Sequence, residues 1–596
     1  MTAHEALKTY FGYDNFRPLQ EEIIQSVLDG RDTLALMPTG GGKSLCFQVP
    51  TMAMGGLCLV ITPLIALMKD QVENLRRRDI RAAAIYTGMT YEQQKVALDN
   101  CQWGPYHFLY VSPERLESEE FRERLARLPI CLIAVDEAHC ISQWGYDFRP
   151  SYLKIAEIRE VIRGERRKGE EAMRQAVPIL ALTATATPDV VDDIQARLAF
   201  REKNVLRKSF LRQNLSYVVR QSNKKADEIV HILSKVPSSA IVYVRNRQRA
   251  QELAAYLNEK GLSADFYHAG LTSKERAAKQ EAWRAYPHPL PKGKGVTRVM
   301  VSTNAFGMGI DKPDVRMVIH HDLPDTIEAY FQEAGRAGRD EQRAFAVLLY
   351  DPAQDKAKAR KRVSDNYPPK EFVTDVYHKT CDFLGVGAGS GQGHTFMLPI
   401  NDLCRIMHLP ILQTYSALHL LTQAGYICFQ EEQEIQPRVK ILISQREMNE
   451  YGLSEQQYKL LELLMRKYSG IFTDLQYVHF DQLTTPITNS PSPIANRQSL
   501  HDLLVSLAQR HIITYIPHDT ANTLTFTRER QTDIYLPTTI YDNHRQQYIK
   551  KLKAMVEYAD NQLYCRSQLL LSYFGETDAA TCGTCDVCRQ KTKTQC

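Results

Sequence analysis

Between residues 33 and 350, short apolar runs alternate with stretches of helical periodicity, and no other feature of the chain restricts its folding as strongly. Runs at 33–37, 57–62, 108–111, 132–135 and 179–183 form one series, and runs at 240–244, 299–302, 317–320 and 344–349 form a second. Each run is short, predominantly apolar and followed by a helical pattern, the signature of buried strands in a mainly parallel sheet covered by helices. Two series predict two α/β domains, over 1–207 and 208–355, with a polar, basic segment around 210–225 between them. At 596 residues the chain exceeds what one core supports, so further domains are expected downstream. The strand pattern stops near 355. The glycine-rich stretch 385–393 neither follows a strand nor opens a helix, and it reads as a flexible connector.

Composition narrows the class. Hydrophobic residues at 44% and charged residues at 24% describe a folded chain rather than a disordered one. No run approaches the roughly 18–20 apolar residues of a membrane span. The opening residues Met1, Thr2, Ala3, His4 and Glu5 lack a basic-then-apolar export pattern, so a cytoplasmic protein with no membrane partner is expected. A net charge of +5 permits a nucleic-acid partner without arguing for one.

Three motifs carry chemistry. Met37-Pro-Thr-Gly-Gly-Gly-Lys-Ser44 follows an apolar strand and precedes a helix, so backbone amides around Thr39, Gly40 and Gly42 can cradle phosphates. Lys43 can reach the outer phosphates and Ser44 can ligate magnesium. Met37 occupies the first glycine position of the strict pattern, which leaves an ordinary glycine turn as the bland alternative. At the end of the 132–135 strand, Asp136-Glu137-Ala138-His139 places carboxylates at the sheet edge where ligands of such folds bind. Asp136 can hold magnesium through water, and Glu137 can polarise an attacking water. In the second domain, Gln332-Glu-Ala-Gly-Arg336-Ala-Gly-Arg339 supplies two arginines able to neutralise a γ-phosphate across a cleft. Glycines at 335 and 338 would weaken a merely solvated helix.

Of the thirteen cysteines, Cys565, Cys582, Cys585 and Cys588 cluster with the spacing C-x16-C-x2-C-x2-C, which suits a closed tetrahedral zinc site. An iron–sulfur cluster or a redox pair is the competing reading.

The motif set resembles that of superfamily 2 helicases and, within it, the RecQ family of DNA helicases. The matching stretches include Phe11-Gly-Tyr-Asp-Asn-Phe-Arg-Pro-Leu-Gln20, Ile61-Thr-Pro-Leu64, Val111-Ser-Pro-Glu-Arg115, Thr183-Ala-Thr-Ala186 and Thr303-Asn-Ala-Phe-Gly-Met-Gly-Ile-Asp311. The aromatic stretch His139-Cys-Ile-Ser-Gln-Trp-Gly-Tyr-Asp-Phe-Arg-Pro150 is the most family-specific. The resemblance implies an α/β architecture of two RecA-like parallel-sheet domains, then a helical and winged-helix region over 356–545, and a small four-cysteine zinc module over 546–596. It implies that Tyr13, Arg17 and Gln20 read adenine, that Asp311 reaches the nucleotide, and that ATP, Mg2+ and Zn2+ are the cofactors. It implies that Trp144 and Phe148 contact single-stranded DNA while Arg149 couples that contact to the ATP site. Stacking of this kind tolerates any sequence and is worth about 1–3 kcal/mol per base. A buried core tryptophan is the alternative for Trp144. The implied partners are single-stranded and forked DNA, with single-strand-binding or recombination proteins beside them, and the implied direction is 3′ to 5′. An RNA helicase and a DNA-binding scaffold with a vestigial ATPase are the rival readings.

The chain departs from the family in order, because the zinc cysteines follow the middle region instead of preceding it. Within that region, helices at 401–409 and 413–425 followed by runs at 426–429 and 439–443 suggest a winged helix. A second candidate spans 458–468, 499–510, 511–516 and 523–527, with Leu418, Leu421 and Gln423 recurring as Leu504, Leu507 and Gln509. Glu431, Glu432 and Glu434 at the first hairpin tip would repel phosphate. The second hairpin, with Tyr515, His518, Arg528 and Arg530, is the expected duplex contact.

Overall fold

The computed structural model describes residues 1–596 except 39, 87–88, 143–148, 168–176, 288–295, 307–311, 436, 445–446, 450, 469, 473–475, 479–482, 484–496, 511, 517–518 and 596. The chain forms two compact units, residues 1–360 together with 546–596, and residues 361–545. Among the described residues no helix is long and apolar enough to cross a membrane.

The first unit holds two parallel sheets. One is built from β1 (Thr33–Leu36), β2 (Leu57–Ile61), β3 (Ala82–Ile85), β4 (Phe108–Val111), β5 (Ile130–Val135), β6 (Ile179–Thr183) and β7 (Val205–Arg207), in the order β3-β4-β2-β5-β6-β1-β7. The other contains β8 (Leu215–Gln221), β9 (Ala240–Tyr243), β10 (Ala264–Tyr267), β11 (Val299–Ser302), β12 (Met317–His320) and β13 (Ala344–Tyr350), in the order β10-β11-β9-β12-β13-β8. Helices cover both faces, so the central strands are buried throughout and read as unbroken apolar runs. The 210–225 stretch is only partly a linker. Its half from Leu215 to Gln221 is an edge strand, β8, which pairs with β13 from Leu215↔Ala344 to Gln221↔Tyr350. The Val219 amide of this edge strand donates to Asp586 at 3.1 Å, and only the strand's last residues are exposed, so polar residues are tolerated there.

In the second unit, β14 (Thr395–Met397), β15 (Ile427–Ile435), β16 (Arg438–Ile441), β17 (Gln476–Tyr477), β18 (Ile513–Ile516) and β19 (Asp519–Phe526) form two three-stranded sheets, β14-β19-β15 and β17-β16-β18. This overturns the two tandem hairpins. β15 pairs with β19, from Ile427↔Phe526 to Ile435↔Asp519, and β16 pairs with β18, from Arg438↔Ile516 to Ile441↔Ile513. The ladders lie end to end on one antiparallel ribbon, and residues between β15 and β19 are nested inside the outer hairpin. The physical reason is visible in the sequence: Glu431-Glu-Gln-Glu-Ile-Gln436 offers none of the Gly, Asn or Asp residues that a tight hairpin turn requires. Leu418 and Leu421 are buried in the outer core beside Leu524 and Phe526, and Leu504 and Leu507 in the inner core beside Val439 and Ile513.

The arginines expected at a duplex-contacting hairpin serve the fold instead. Arg528 donates from Nε to the Gly425 carbonyl at 2.8 Å and stacks over the Tyr426 ring at 4.4 Å. Arg530 donates to the Val386 carbonyl at 2.7 Å and pairs with Asp382 at 2.8 Å. The Arg530 bond to Val386, with Arg530 N to Ser390 O and Gly393 N to Phe526 O at 2.8 Å each, also ties down the glycine-rich stretch that reads as a flexible connector. His518 lies outside the described residues.

The strand that feeds the phosphate loop is itself anchored by a buried carboxylate. Asp32 accepts from Arg159 at 3.0 Å, from the Ile179 and Arg201 amides at 3.0 Å each, and from Arg201 Nε at 3.1 Å. Burial opposes its ionisation, but the hydrogen bonds from Arg201 and Ile179 and the charge of Arg159 hold its carboxyl below the ordinary range. Asp32→Ala leaves two arginines facing an empty site and should cost about 3–5 kcal/mol. In the unaltered chain the carboxylate's contribution is complete above the unfolded value, about pH 4, and is lost as pH falls through the lower folded value. Denaturant midpoints followed into acid should therefore fall for the wild type and flatten for the variant.

Candidate active site and zinc centre

The phosphate loop leaves the buried end of β1 and runs into the helix Leu45–Met54, whose N-cap is Ser44. Gly40 and Gly42 both adopt positive φ, +82° and +78°. That conformation favours glycine at both positions, and a Cβ on Gly42 would also press on Gln20 Nε2, 2.4 Å away. Gln20 Nε2 donates to the Gly42 carbonyl at 3.0 Å, and Arg17 Nη1 donates to the Gly40 carbonyl at 2.8 Å. Arg17 and Gln20 thus meet the loop directly, whereas Tyr13 is half exposed. The Ser44 hydroxyl accepts from Gln71 Nε2 at 3.0 Å, a partner supplied by the helix Ile65–Arg76. Sequence reasoning missed Gln71, since a lone glutamine on an amphipathic helix carries no signal. Thr39 lies outside the described residues.

β5 lies one strand away from β1, with β6 between them, so its C-terminal carboxylates open on the same sheet edge as the loop. Glu137 takes a left-handed conformation, φ +48°, which is uncommon for a residue with a side chain and is held here by its surroundings. Asp136 accepts from the Glu137 amide at 2.9 Å, and its carbonyl accepts from the Tyr152 hydroxyl at 3.0 Å. Burial, followed by the charge of Glu137, raises the Asp136 carboxyl above its ordinary value, and Lys43 opposes the shift. Burial acts on Glu137 in the same sense, but the charges of Lys43, His139 and Arg336 outweigh it and hold that carboxyl low. His139 Nδ1 lies 3.3 Å from Glu137 and 3.0 Å from the Thr183 hydroxyl at the end of β6.

The arginines arrive from the other sheet. The helix Ile327–Ala334 starts at Thr326, whose side chain accepts from the Ala329 amide at 3.1 Å, and it stops at Gly335. The turn that follows carries Arg336 and Arg339 back toward β13. Gly338 has φ +63°, and a Cβ there would meet Asn214 Nδ2 at 2.6 Å. Arg212 Nη2 donates to the Ala337 and Gly338 carbonyls at 3.0 and 2.7 Å, Arg212 Nη1 to Gly335 at 3.4 Å, and Asn214 Nδ2 to Gly338 at 2.7 Å. The Arg339 side chain lies 3.4 Å from where a Cβ on Gly40 would project, and Arg336 acts on the charge of Glu137. Loop, carboxylates and arginines therefore face one cleft. Arg212 and Asn214, in what reads as a polar linker, hold the arginine turn, and composition alone does not separate them from solvated residues.

Arg149 donates to the Pro63 carbonyl at 3.3 Å and lies 3.7 Å from Glu114, which joins it to two of the family-like stretches. Trp144, Phe148 and Asp311 lie outside the described residues.

In the last segment of the first unit, ligand atoms of Cys565, Cys582, Cys585 and Cys588 all lie within 4.8 Å of one another. Thiolates at the usual zinc distance are about 3.8 Å apart in a tetrahedron, so the set fits the metal. The amides of Cys582, Cys585 and Cys588 donate to the sulfurs of Cys565, Cys582 and Cys585 at 3.3, 3.4 and 3.4 Å, which supports thiolate charge.

Residues 17–194 match the DEAD/DEAH box helicase family, 224–341 the helicase conserved C-terminal domain, and 521–589 the RecQ zinc-binding family. The paired sheets with a phosphate loop on one and an arginine turn on the other are those of a superfamily 2 helicase core. ATP-dependent DNA helicase RecQ of Haemophilus influenzae is 41% identical over 353 residues, covering 59% of this chain and 54% of that protein. The probable ATP-dependent DNA helicase RecS of Bacillus subtilis is 40% identical over 353 residues, covering 58% and 66%. With the zinc segment and these relatives, the chain belongs to the RecQ family, in a variant whose zinc module is C-terminal. It spans about half the length of the curated RecQ relatives it matches. Among solved structures, helicase Lhr of Mycobacterium smegmatis bound to single-stranded DNA and AMP-PNP is 19% identical, with TM-score 0.45 over 70% of this chain and 57% of that one.

Purified protein should carry about one zinc per chain. Cys585→Ser should lose the metal and the local fold together, because binding and folding of such a module are one equilibrium. Metal analysis beside circular dichroism checks both, and an iron chromophore would show the competing cluster.

Proposed function

We propose that this chain is an ATP-dependent DNA helicase, hydrolysing magnesium-bound ATP at the cleft to move along single-stranded DNA, 3′ to 5′ by family resemblance, and to separate duplex or forked DNA. The observation that carries this reading is the approach of Arg336 and Arg339, from the second sheet, to Glu137 and Gly40 on the first. Phosphoryl transfer needs positive charge on the γ-phosphate as it leaves, and arginines supplied across a cleft make turnover depend on how the two sheets meet. In this scheme the amides around Thr39, Gly40 and Gly42 hold the phosphates, Lys43 neutralises the outer ones, and Ser44 with Asp136 holds magnesium. Glu137, kept ionised by Lys43, His139 and Arg336, orients and deprotonates the attacking water. Tyr13, Arg17 and Gln20 take the adenine, and Asp311 reaches the nucleotide.

DNA is favoured over RNA by the relatives, which carry the name DNA helicase, and by the zinc cysteines. Trp144 and Phe148 would grip single-stranded DNA, and Arg149, bonded to Pro63, would relay that grip to the carboxylates one strand away. Work in repair and recombination, beside single-strand-binding or recombination proteins in the cytoplasm or nucleoid, accords with this activity. Intact Lys43, Glu137 and Arg339 weigh against a scaffold with a vestigial ATPase.

Lys43→Ala should abolish ATP turnover, and Glu137→Gln should lower it by about 100-fold or more, while both keep DNA affinity in filter binding. Arg149→Ala should lose unwinding far more than basal ATPase. Wild-type turnover in either of the first two variants would remove the assignment. Equal loss of both activities in the third would make Arg149 a structural brace.

A further inference from the structure

The linker between the sheets, residues 208–214, has no regular secondary structure of its own, yet it is bonded at both ends. On one side Glu576 of the zinc module accepts from the Phe210 amide at 2.8 Å and from the Ser209 hydroxyl at 2.7 Å. Arg207, at the end of β7, donates to the Phe574 carbonyl at 3.2 Å. The Phe210 ring packs 5.2 Å from Phe574 and 5.9 Å from Phe331, which lies on the helix that leads to the arginine turn. Gly575, at φ +87°, lies against Pro188 of the first lobe so closely that a Cβ would be 3.0 Å from its ring. On the other side, Arg212 and Asn214 hold the carbonyls of the arginine turn.

We propose that Glu576 and Arg212 are positioning residues acting in series: Glu576 fixes the linker to the zinc module, and Arg212 passes that placement to the turn bearing Arg336 and Arg339. The proposal rests on the reading of the cleft as an ATPase site. Among the described residues no hydrogen bond or ion pair joins either side chain to the cleft carboxylates or the phosphate loop, and each acts through backbone it holds. A displacement of about 1 Å at a reacting centre can cost as much as 100-fold in rate, so slack in the linker registers in turnover before it registers in nucleotide binding.

The test uses the full-length chain with saturating single-stranded DNA, and it reads kcat and KM for ATP, zinc content, and affinity for a fluorescent ADP, which lacks the γ-phosphate the arginines serve. Glu576→Ala should lower kcat by about tenfold with zinc retained and ADP affinity unchanged within about twofold. Glu576→Gln should remain near wild type, because its carboxamide can still accept from Phe210 N and donate to the Ser209 oxygen. Arg212→Lys, whose single ammonium cannot span the carbonyls, should lose kcat similarly, and adding Glu576→Ala to it should cost little more, as expected for coupled rather than independent sites. Wild-type kcat in Glu576→Ala, or full additivity in the double variant, overturns the proposal. If Glu576→Ala loses zinc, Ser209→Ala decides from outside the module: a lowered kcat with zinc intact supports the proposal and an unchanged one overturns it. A wild-type chain inert toward ATP on every DNA overturns the functional reading instead, an outcome distinct from an active wild type matched by an equally active Glu576→Ala.

Discussion

The guanidinium of Arg212, hydrogen-bonded to backbone carbonyls on either side of Arg336 and up to Arg339, is the interaction on which the cleft depends. Each sheet is rigid, with its central strands buried on both faces, but neither holds a complete site. The phosphate loop and the carboxylates belong to the first sheet and the arginines to the second. Carbonyls in a turn are strong acceptors that must be satisfied. A planar fork of five donors meets several of them at once, where a lysine would meet one or two. The glycines of the turn complete the arrangement, since Gly338 leaves the room that Asn214 occupies.

Electrostatics in the cleft follows from the same division. Two adjacent buried carboxylates cannot both ionise without compensation. The charges that favour Glu137 come from Lys43 and His139 on its own side and from Arg336 across the cleft. Asp136, with Glu137 beside it, is driven toward its neutral form. Such a pair is set up to receive a divalent cation, whose positive charge supplies what the protein alone withholds.

The sheets are legible in the sequence because strands buried on both faces are apolar at nearly every position, as in the run Leu57–Ile61. β8 is not, because an edge strand with an exposed end can carry Arg220 and Gln221 as a loop would. The motif residues are legible for a different reason: glycines, a lysine and paired carboxylates at strand ends have few other uses in that combination. Gln71, Arg212 and Glu576 have many uses, and only their partners reveal them. In the middle region the strands themselves can be read but their pairing cannot, since nothing in Ile427–Phe429 states whether its partner lies ten or a hundred residues away. Arg528 and Arg530 show the same limit for charge, because a guanidinium that braces a carbonyl and one that binds phosphate look identical in a sequence.

The nesting of chain segments also fixes an order of assembly. Residues 361–545 are inserted in the chain between the arginine turn and the zinc module, and the inner helices are inserted again between β15 and β19. During synthesis the inner core can close while β19 is still absent, and the arginine turn emerges well before Phe574 and Glu576. A nascent chain thus presents its phosphate loop, carboxylates and arginines over a long interval during which the segment that ties down the linker has not yet been made.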